Sequence, residues 1–209
     1  MRTITSRLPA LLWLAAIATS LPILWTVVWP ILNTSRLPEH GAHVPTLLVH
    51  AGAGLATLLL GTANLYLGWK RLMPRLHRWL GYGYLMLGSI GATTAIALSM
   101  LAPHEPRGLY VATGALAAAW LCAAAMAWRA ARNRRFDSHR DWMIRSFVLI
   151  WTFVGCRIAT KVTLFPALGD EGVAAAVWLN WVAPLVVCEI ALQWRAGARV
   201  KSATARPGD

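Results

Sequence analysis

Three histidines stand at or inside long apolar segments, where an imidazole is able to bind haem iron or another metal. His77 in LHRW and His139 in SHRDW each open an apolar segment, and each is followed by an arginine and then a tryptophan. Haem iron takes axial ligands from side chains of this type, so these two histidines form one candidate pair. His50, inside the segment VHAGAG, is a third candidate ligand, whose partner would be His43 or His104.

Two basic residues lie deep in the apolar segment 143–165. Arg157 and Lys161 are four residues apart, so they share one helix face and repel each other unless a polar or anionic group lies opposite. Counted at 1.5 Å per residue from the inner boundary, they lie roughly 18–24 Å up, in the outer half of the bilayer. An ionisable residue at such a depth is by default a functional-site hypothesis. Snorkelling to the outer headgroups is an alternative explanation for Lys161.

A candidate pocket in the outer half of the bilayer follows from residues that reach the same depth by this count. Its five members come from four predicted helices and are His50, Thr94, Arg157, Lys161 and Asn180. Such a pocket would hold a small anion or an amphipathic molecule. Pro184, one turn after Asn180, is expected to break the last helix and to free backbone groups there.

A second candidate cluster lies at the opposite, inner face and consists of His77, His139, Arg145 and Glu189. Glu189 lies roughly one turn above the inner boundary, which makes Arg145 its expected partner. Arg157 differs from Glu189 in depth by roughly 12 Å, so the sequence does not predict a direct ion pair between those two. For His77 and His139, contact with lipid headgroups is the alternative to haem or metal ligation.

Small and polar residues recur at helical spacing in the segment that contains His50. The stripe consists of His50, Gly54, Thr57, Gly61, Asn64 and Gly68. Small residues on one face permit close helix packing in a membrane. We therefore expect another helix to pack tightly against this face.

Composition identifies the elements that position these residues as membrane helices. Hydrophobic residues make up 57% of the 209 residues and charged residues only 13%, with a mean hydropathy of +0.52. A span needs about 20 apolar residues, and the chain has six such segments, at roughly 9–31, 45–68, 79–102, 108–128, 143–165 and 173–194. The prediction is an all-α integral membrane bundle with about six transmembrane helices, formed by residues 1–195 and followed by a flexible cytoplasmic tail, 196–209.

Lysine and arginine outside these spans are distributed very unevenly, which predicts the orientation. One side carries sixteen: Arg2, Arg7, Lys70, Arg71, Arg75, Arg78, Arg129, Arg132, Arg134, Arg135, Arg140, Arg145, Arg195, Arg199, Lys201 and Arg206. The other side carries Arg36 and Arg107. The predicted location is therefore the cytoplasmic (inner) membrane with both termini inside, and the net charge of +12 reflects topology and does not indicate nucleic-acid binding. The two inner loops that end in His-Arg and then Trp also suggest that spans two–three and four–five are parallel repeats.

The chain resembles the predicted membrane-protein family catalogued as domain of unknown function 2306. The resemblance rests on VHAGAG around His50, on LHRWLGYGY around His77, on HRDWMIRSF around His139, and on the late Trp, Asn and Glu of the last span, and it covers most of residues 44–194. It implies a bacterial multi-span membrane protein and no particular reaction.

Two functions fit these features. The first is a membrane redox protein of b-type-haem cytochrome character, in which His50, His77 and His139 are the candidate ligands; no CxxCH motif for covalent haem attachment is present. The second is a transporter or binding protein that uses the outer-half pocket. The expected partners are the lipid bilayer and either a small-molecule ligand or a quinone. The sequence has no nucleotide-binding loop, HExxH motif or nucleophile elbow, which argues against soluble hydrolase chemistry.

Overall fold

The computed structural model describes residues 44–101, 107–159 and 165–204. These residues form five long helices: α1 (Val44–Lys70), α2 (Pro74–Leu101), α3 (Arg107–Arg132), α4 (Phe136–Ala159) and α5 (Gly169–Thr204), the last preceded by a short 3-10 helix, Pro166–Leu168. No strand occurs in this part of the chain. The predicted first span, 9–31, lies outside the described residues, as do His43, His104 and Lys161.

Four of the helices are long and apolar enough to cross a membrane: Val44–Lys70, Pro74–Met100, Arg107–Arg132 and Glu171–Gly197. The remaining long helix, α4, begins with the polar sequence FDSHRDW and carries Arg145 and Arg157. The prediction of a helical membrane bundle is therefore confirmed. The count of six spans and the placement of the termini stay predictions.

The helices pack as two antiparallel hairpins, α1 with α2 and α3 with α4, and each hairpin also contacts the other. Helix α5 packs against α3 and α4. Large apolar side chains remain on the outside, among them Met86, Val111, Val187 and Ile190, each more than half exposed. A continuous apolar exterior is what a lipid environment requires, since lipid covers it without cost.

The turns that join α1 to α2 and α3 to α4 have the same backbone pattern. Each ends its first helix with two backbone hydrogen bonds to the last helical turn: Arg71 to Gly68 and Leu72 to Leu67, then Arg134 to Ala131 and Arg135 to Ala130. Arg71 and Arg134 have φ values of 54° and 57°, the left-handed conformation of a Schellman-type helix end. The first turn has one more residue before the histidine that follows (77−71 = 6, against 139−134 = 5), and it includes Met73 with φ 43°. The matching turns support the interpretation of the hairpins as repeats.

The last helix is longer than the sequence suggests. Helix α5 continues to Thr204, so residues 196–204, which the sequence assigns to a flexible tail, have helical backbone. Three alanines, one arginine and one lysine lie here, and all three residue types are good helix formers, which explains the continuation. The helix is also continuous through Pro184, so the predicted break at that residue does not occur.

Candidate functional site

His77 and His139 face each other where the two hairpins turn. Their ring centroids lie 6.4 Å apart, with the ring planes at 90°. Each histidine lies in the first turn of the second helix of its hairpin, and each is half-buried. The pair therefore joins equivalent positions of the two hairpins.

Backbone carbonyls of the preceding helices orient both imidazoles. His77 Nδ1 lies 3.1 Å from the carbonyl oxygen of Asn64, and His139 Nδ1 lies 2.9 Å from that of Ala127. Because a carbonyl only accepts, each Nδ1 carries the proton and donates it, which leaves the lone pair of a neutral imidazole on Nε2. Within the described residues, neither Nε2 makes a hydrogen bond. The two carbonyls are equivalent as well. Each belongs to the residue seven positions before the arginine of its turn that has a left-handed backbone conformation (71−64 and 134−127).

This arrangement is the one that metal-binding histidines adopt, with one ring N–H donated to a carbonyl and the other nitrogen left for the metal. Two imidazoles that bind one ion from opposite sides, at about 2.0–2.1 Å, have ring centroids roughly 6–6.5 Å apart. The observed separation of 6.4 Å falls in that range. The described residues contain no group of three or more His, Cys, Asp or Glu side chains able to hold a metal ion. Within the described residues the two imidazoles are therefore a pair and not part of a larger cluster of this kind.

The glycine stripe of α1 seats three large rings from the neighbouring helices. Gly54, Gly61 and Gly68 face the rings of Phe153, Tyr84 and His77 respectively. A Cβ at Gly61 would lie 2.6 Å from Tyr84 Cε2, and a Cβ at Gly68 would lie 3.0 Å from His77 Cε1. Close packing thus explains these glycines, and the position of the His77 ring depends on the absence of a side chain at residue 68.

Arg145 and Glu189 form an ion pair that joins α4 to α5. The guanidinium donates to Glu189 Oε2 from Nε at 2.9 Å and from Nη2 at 2.6 Å, and it lies over the Trp142 ring at 4.7 Å from the centroid. Gln193 Nε2 donates to Glu189 Oε1 at 2.8 Å. With both partners bound to each other, this half of the predicted inner cluster is suited to holding the helices together.

A cavity of about 310 Å³ lies in the centre of the bundle and is lined by residues from all five helices. His50 is one of them; its Nδ1 donates to the carbonyl of Gly91 at 2.9 Å, and its ring centroid lies 6.2 Å from that of Phe153. Gly54, Gly88 and Gly91 all line the cavity, and it exists partly because they have no side chains. None of the described lining residues is acidic or bears the charge of Lys or Arg.

The other members of the predicted outer pocket are placed differently. Thr94 Oγ1 donates to the carbonyl of Ile90 in its own helix at 2.7 Å. Neither Thr94 nor Asn180 is among the described residues that line the cavity. Arg157 belongs to α4, but its side chain lies outside the described part of the chain, as does the whole of Lys161. His50 is thus the predicted pocket residue that the structure places at the cavity, and convergence of all five stays a prediction.

Pro184 leaves the backbone carbonyl of Asn180 to a side chain of the neighbouring helix. Proline has no N–H, so the carbonyl of Asn180, four residues earlier, has no helical donor. Thr152 Oγ1, from α4, donates to this carbonyl at 3.3 Å, and Thr152 itself lines the cavity. The Asn180 amide donates to Ala176 in its own helix at 2.7 Å. The proline therefore creates a polar link between α4 and α5 instead of a break.

Two buried contacts near the sites were not selected from the sequence. Tyr84 donates to Ser146 Oγ at 3.0 Å, and both side chains are completely buried. Each lies seven residues after its histidine (84−77 and 146−139). This shared spacing is the feature of the sequence from which the contact was predictable. The second is Trp120, which is 3% exposed, lines the cavity and packs against Tyr84 with ring centroids 5.7 Å apart.

The described residues define a helical membrane protein of two similar hairpins and a further long helix, with a histidine pair at the turns and a cavity in the bundle centre. A family model described as a predicted membrane protein, domain of unknown function 2306, matches residues 47–192. Because this is more than half of the 209 residues, the chain belongs to that family, as its motifs indicated. No curated protein and no solved structure matches the chain significantly.

Proposed function

We propose that this protein is a membrane redox protein that holds a b-type haem between His77 and His139. The observation that carries the proposal is the geometry of the pair, with ring centroids 6.4 Å apart and both Nδ1 atoms donated to carbonyls. A bound haem supplies one-electron transfer. The chain would hold it by the two Nε2 atoms, because the carbonyls of Asn64 in α1 and Ala127 in α3 fix the tautomer and the orientation of the two rings.

A haem accounts for a site with only two protein ligands better than a bare ion does. Zinc ions in proteins take three or four protein ligands, and the described residues offer no third His, Cys, Asp or Glu beside the pair. A haem would need only two ligands from the protein, and His77 and His139 would hold it. Attachment would be non-covalent, because the sequence lacks CxxCH.

Basic side chains surround the pair and suit the two propionates of a haem. Arg78 and Arg140 directly follow the histidines, Arg75 lies in the first turn of α2, and Arg135 directly precedes α4; all four are exposed. Arg140 lies 3.5 Å from carboxylates of its own helix, whereas the other three form no ion pair within the described residues. Propionates placed here would have arginine partners without breaking an existing pair.

The proposed setting is the inner membrane, with six spans, both termini and the two matching turns on the cytoplasmic side. The uneven distribution of lysine and arginine supports this orientation. Four exposed tryptophans near the same ends of the helices, Trp69, Trp79, Trp128 and Trp194, are typical of a membrane interface. The haem would then lie near the cytoplasmic surface, within reach of a soluble electron carrier.

An absorbance spectrum tests the proposal. Protein purified from cells supplied with a haem precursor should show a Soret band, with about one haem per chain by extraction. His77→Ala and His139→Ala should each lose most of the band, because each removes one axial nitrogen. His50→Ala is the matched control and should keep it, since His50 donates to Gly91 and packs on Phe153 away from the pair.

A wild-type protein without a Soret band would overturn the proposal. A band that survives both His77→Ala and His139→Ala but disappears in His50→Ala would also overturn it, and would move the haem to the outer set of histidines. Circular dichroism of each variant checks that the helices are intact.

The central cavity supports a second candidate function, binding or transport of an amphipathic molecule. The described lining residues are mostly apolar and include no carboxylate, lysine or arginine. This lining favours an uncharged ligand over a small anion, whose recognition would depend on Arg157 and Lys161. Equilibrium binding of a neutral amphipathic probe and of an anion of similar size separates these two ligand classes. Tighter binding of the neutral probe would support the uncharged ligand.

A further inference from the structure

We propose that a groove between α2 and α3 binds one anionic phospholipid, with the headgroup against Arg78 and Arg132 and an acyl chain along the groove. The groove has a volume of about 540 Å³ and lies at the surface of the bundle, open on its outer side. It shares no described lining residue with the central cavity. The proposal goes beyond both candidate functions and depends on neither.

The wall of the groove is mostly apolar and suits an acyl chain. Leu85 from α2 and Leu121, Ala124 and Ala125 from α3 form most of it. Ser89 also lines the groove, but its hydroxyl already donates to the carbonyl of Leu85 at 2.8 Å. On each helix the lining spans seven residues (89−82 and 128−121), which is about 10 Å along the helix axis. The groove therefore takes the part of an acyl chain that is nearest the headgroup.

Aromatic side chains mark one end of the groove as the headgroup level. Tyr82 from α2 and Trp128 from α3 line this end, with ring centroids 5.7 Å apart. Trp79 extends the cluster, since its ring lies 6.0 Å from that of Tyr82 and the residue is 73% exposed. Tyrosine and tryptophan rings prefer the interface between apolar chains and polar headgroups. The headgroup of a lipid in the groove would thus lie beyond these rings.

Arginines continue the groove beyond the aromatic rings on both helices. Arg78 lies four residues before Tyr82, and Arg132 lies four residues after Trp128, so each shares the helix face that lines the groove. The Arg132 guanidinium lies over the Trp128 ring, 5.9 Å from its centroid. Both arginines are exposed, and neither forms an ion pair within the described residues. Because α2 begins and α3 ends at the turns of the hairpins, the two charges lie at the same end of the groove.

The surrounding charges favour an anionic headgroup. Neither α2 nor α3 contains an aspartate or a glutamate, and the carboxylates of Asp137 and Asp141 in α4 each lie 3.5 Å from Arg140. Guanidinium groups bind phosphate oxygens by charge-assisted hydrogen bonds, and basic pockets between membrane helices bind anionic headgroups. A zwitterionic headgroup would add a cation that the arginines repel. The charge of the groove is therefore complementary to a phospholipid with a net negative charge.

Native mass spectrometry of the full-length protein, delipidated in detergent, tests the proposal by measuring the dissociation constant of the first bound lipid. The probes are phosphatidylglycerol and phosphatidylcholine with the same acyl chains, and phosphatidylglycerol should bind more tightly. Arg132→Gln should weaken phosphatidylglycerol binding roughly fivefold, the effect of one arginine beside an anionic lipid, and should leave phosphatidylcholine nearly unchanged. Arg132→Lys keeps the charge and should retain most of the affinity. Arg132, unlike Arg78, is not among the arginines suited to the haem propionates, so this loss does not depend on haem.

Arg195→Gln is the matched control for the charge. Arg195 is also exposed and forms no ion pair within the described residues, but it belongs to α5 and not to the groove helices. Its removal should change neither dissociation constant. Ala125→Phe tests the acyl chain and should weaken the binding of both lipids, roughly fourfold for each methylene that loses its contact. Ala191→Phe, at an exposed position of α5, is its control and should have no effect.

Equal dissociation constants for the two lipids, or equal losses in Arg132→Gln and Arg195→Gln, would show a diffuse positive surface and overturn the proposal. Unchanged binding in Ala125→Phe would show that no chain occupies the groove and would overturn it as well. Glycerol 3-phosphate has the phosphate without the chains; if it displaces phosphatidylglycerol at equal concentration, the arginines bind a soluble anion and the lipid is the wrong ligand. Circular dichroism checks the helix content of each variant.

Discussion

Replacing Gly88 by alanine should destabilise the bundle, although alanine is the better helix former. A Cβ at Gly88 would overlap atoms Cη2 and Cζ2 of the Trp120 ring. Trp120 cannot easily move away, because it is 3% exposed and also packs against Tyr84 at 5.7 Å between ring centroids. Gly114, in α3, is the matched control, since a Cβ there meets nothing within 4 Å.

The expected magnitude follows from two opposing effects. Glycine to alanine in a helix is favourable by about 0.5–1 kcal/mol, and this gain applies to both variants. Overpacking a buried site costs about 1–3 kcal/mol, and this cost applies only to Gly88→Ala. The helix-propensity gain cancels in the comparison, so the free energies of unfolding of the two variants should differ by about 1–3 kcal/mol, with Gly114→Ala the more stable.

Reversible unfolding in mixed detergent micelles measures this difference, with helix content followed by circular dichroism. Equal stability of the two variants within about 0.5 kcal/mol, the usual effect of a surface substitution, would contradict the close packing of the Trp120 ring against Gly88. Because both residues line the cavity, the same result would also remove the wall on which the proposed ligand site depends.

Two other predictions concern α5 and the orientation of the chain. In a double-mutant cycle, Arg145→Leu and Glu189→Leu should show a coupling energy of about 0.2–1 kcal/mol, the range for ion pairs with an exposed member, because the Glu189 side chain is 43% exposed; additive effects of the two substitutions would contradict the ion pair. A phosphatase reporter fused to the C-terminus, active only outside the cytoplasm, should stay silent while a fluorescent fusion is bright, and a strong phosphatase signal would overturn the proposed orientation.

Helix positions along the sequence were predictable, because they depend on length and hydropathy. The segment predicted at 45–68 corresponds to Val44–Lys70, and the one at 108–128 lies within Arg107–Arg132. The helix ends extend beyond the apolar core because the flanking polar residues also form helix. Equal depth placed Glu189 beside Arg145, and the structure has these two side chains in contact.

Helix rotation and side-chain partners were not predictable from depth. Thr94 reaches the level of His50, yet its hydroxyl donates to carbonyls of its own helix, which is the usual choice of a threonine within a helix. The contact between Tyr84 and Ser146 joins residues 62 apart in the sequence. Such a contact depends on how two hairpins face each other, and hydropathy carries no information about that.

The match between the hairpins explains why both candidate sites lie between them. The left-handed arginines of the two turns are 63 residues apart (134−71), and the same offset relates three pairs of cavity-lining residues: His50 with Thr113, Gly54 with Ala117, and Thr57 with Trp120. These equivalent residues of the two hairpins line the same cavity. Where the two hairpins have the same residue, as at His77 and His139, the result is a pair of similarly oriented imidazoles, which the proposed haem would use. Where they differ, as at Thr57 and Trp120, the site is asymmetric, so a molecule bound in the cavity would have one preferred orientation.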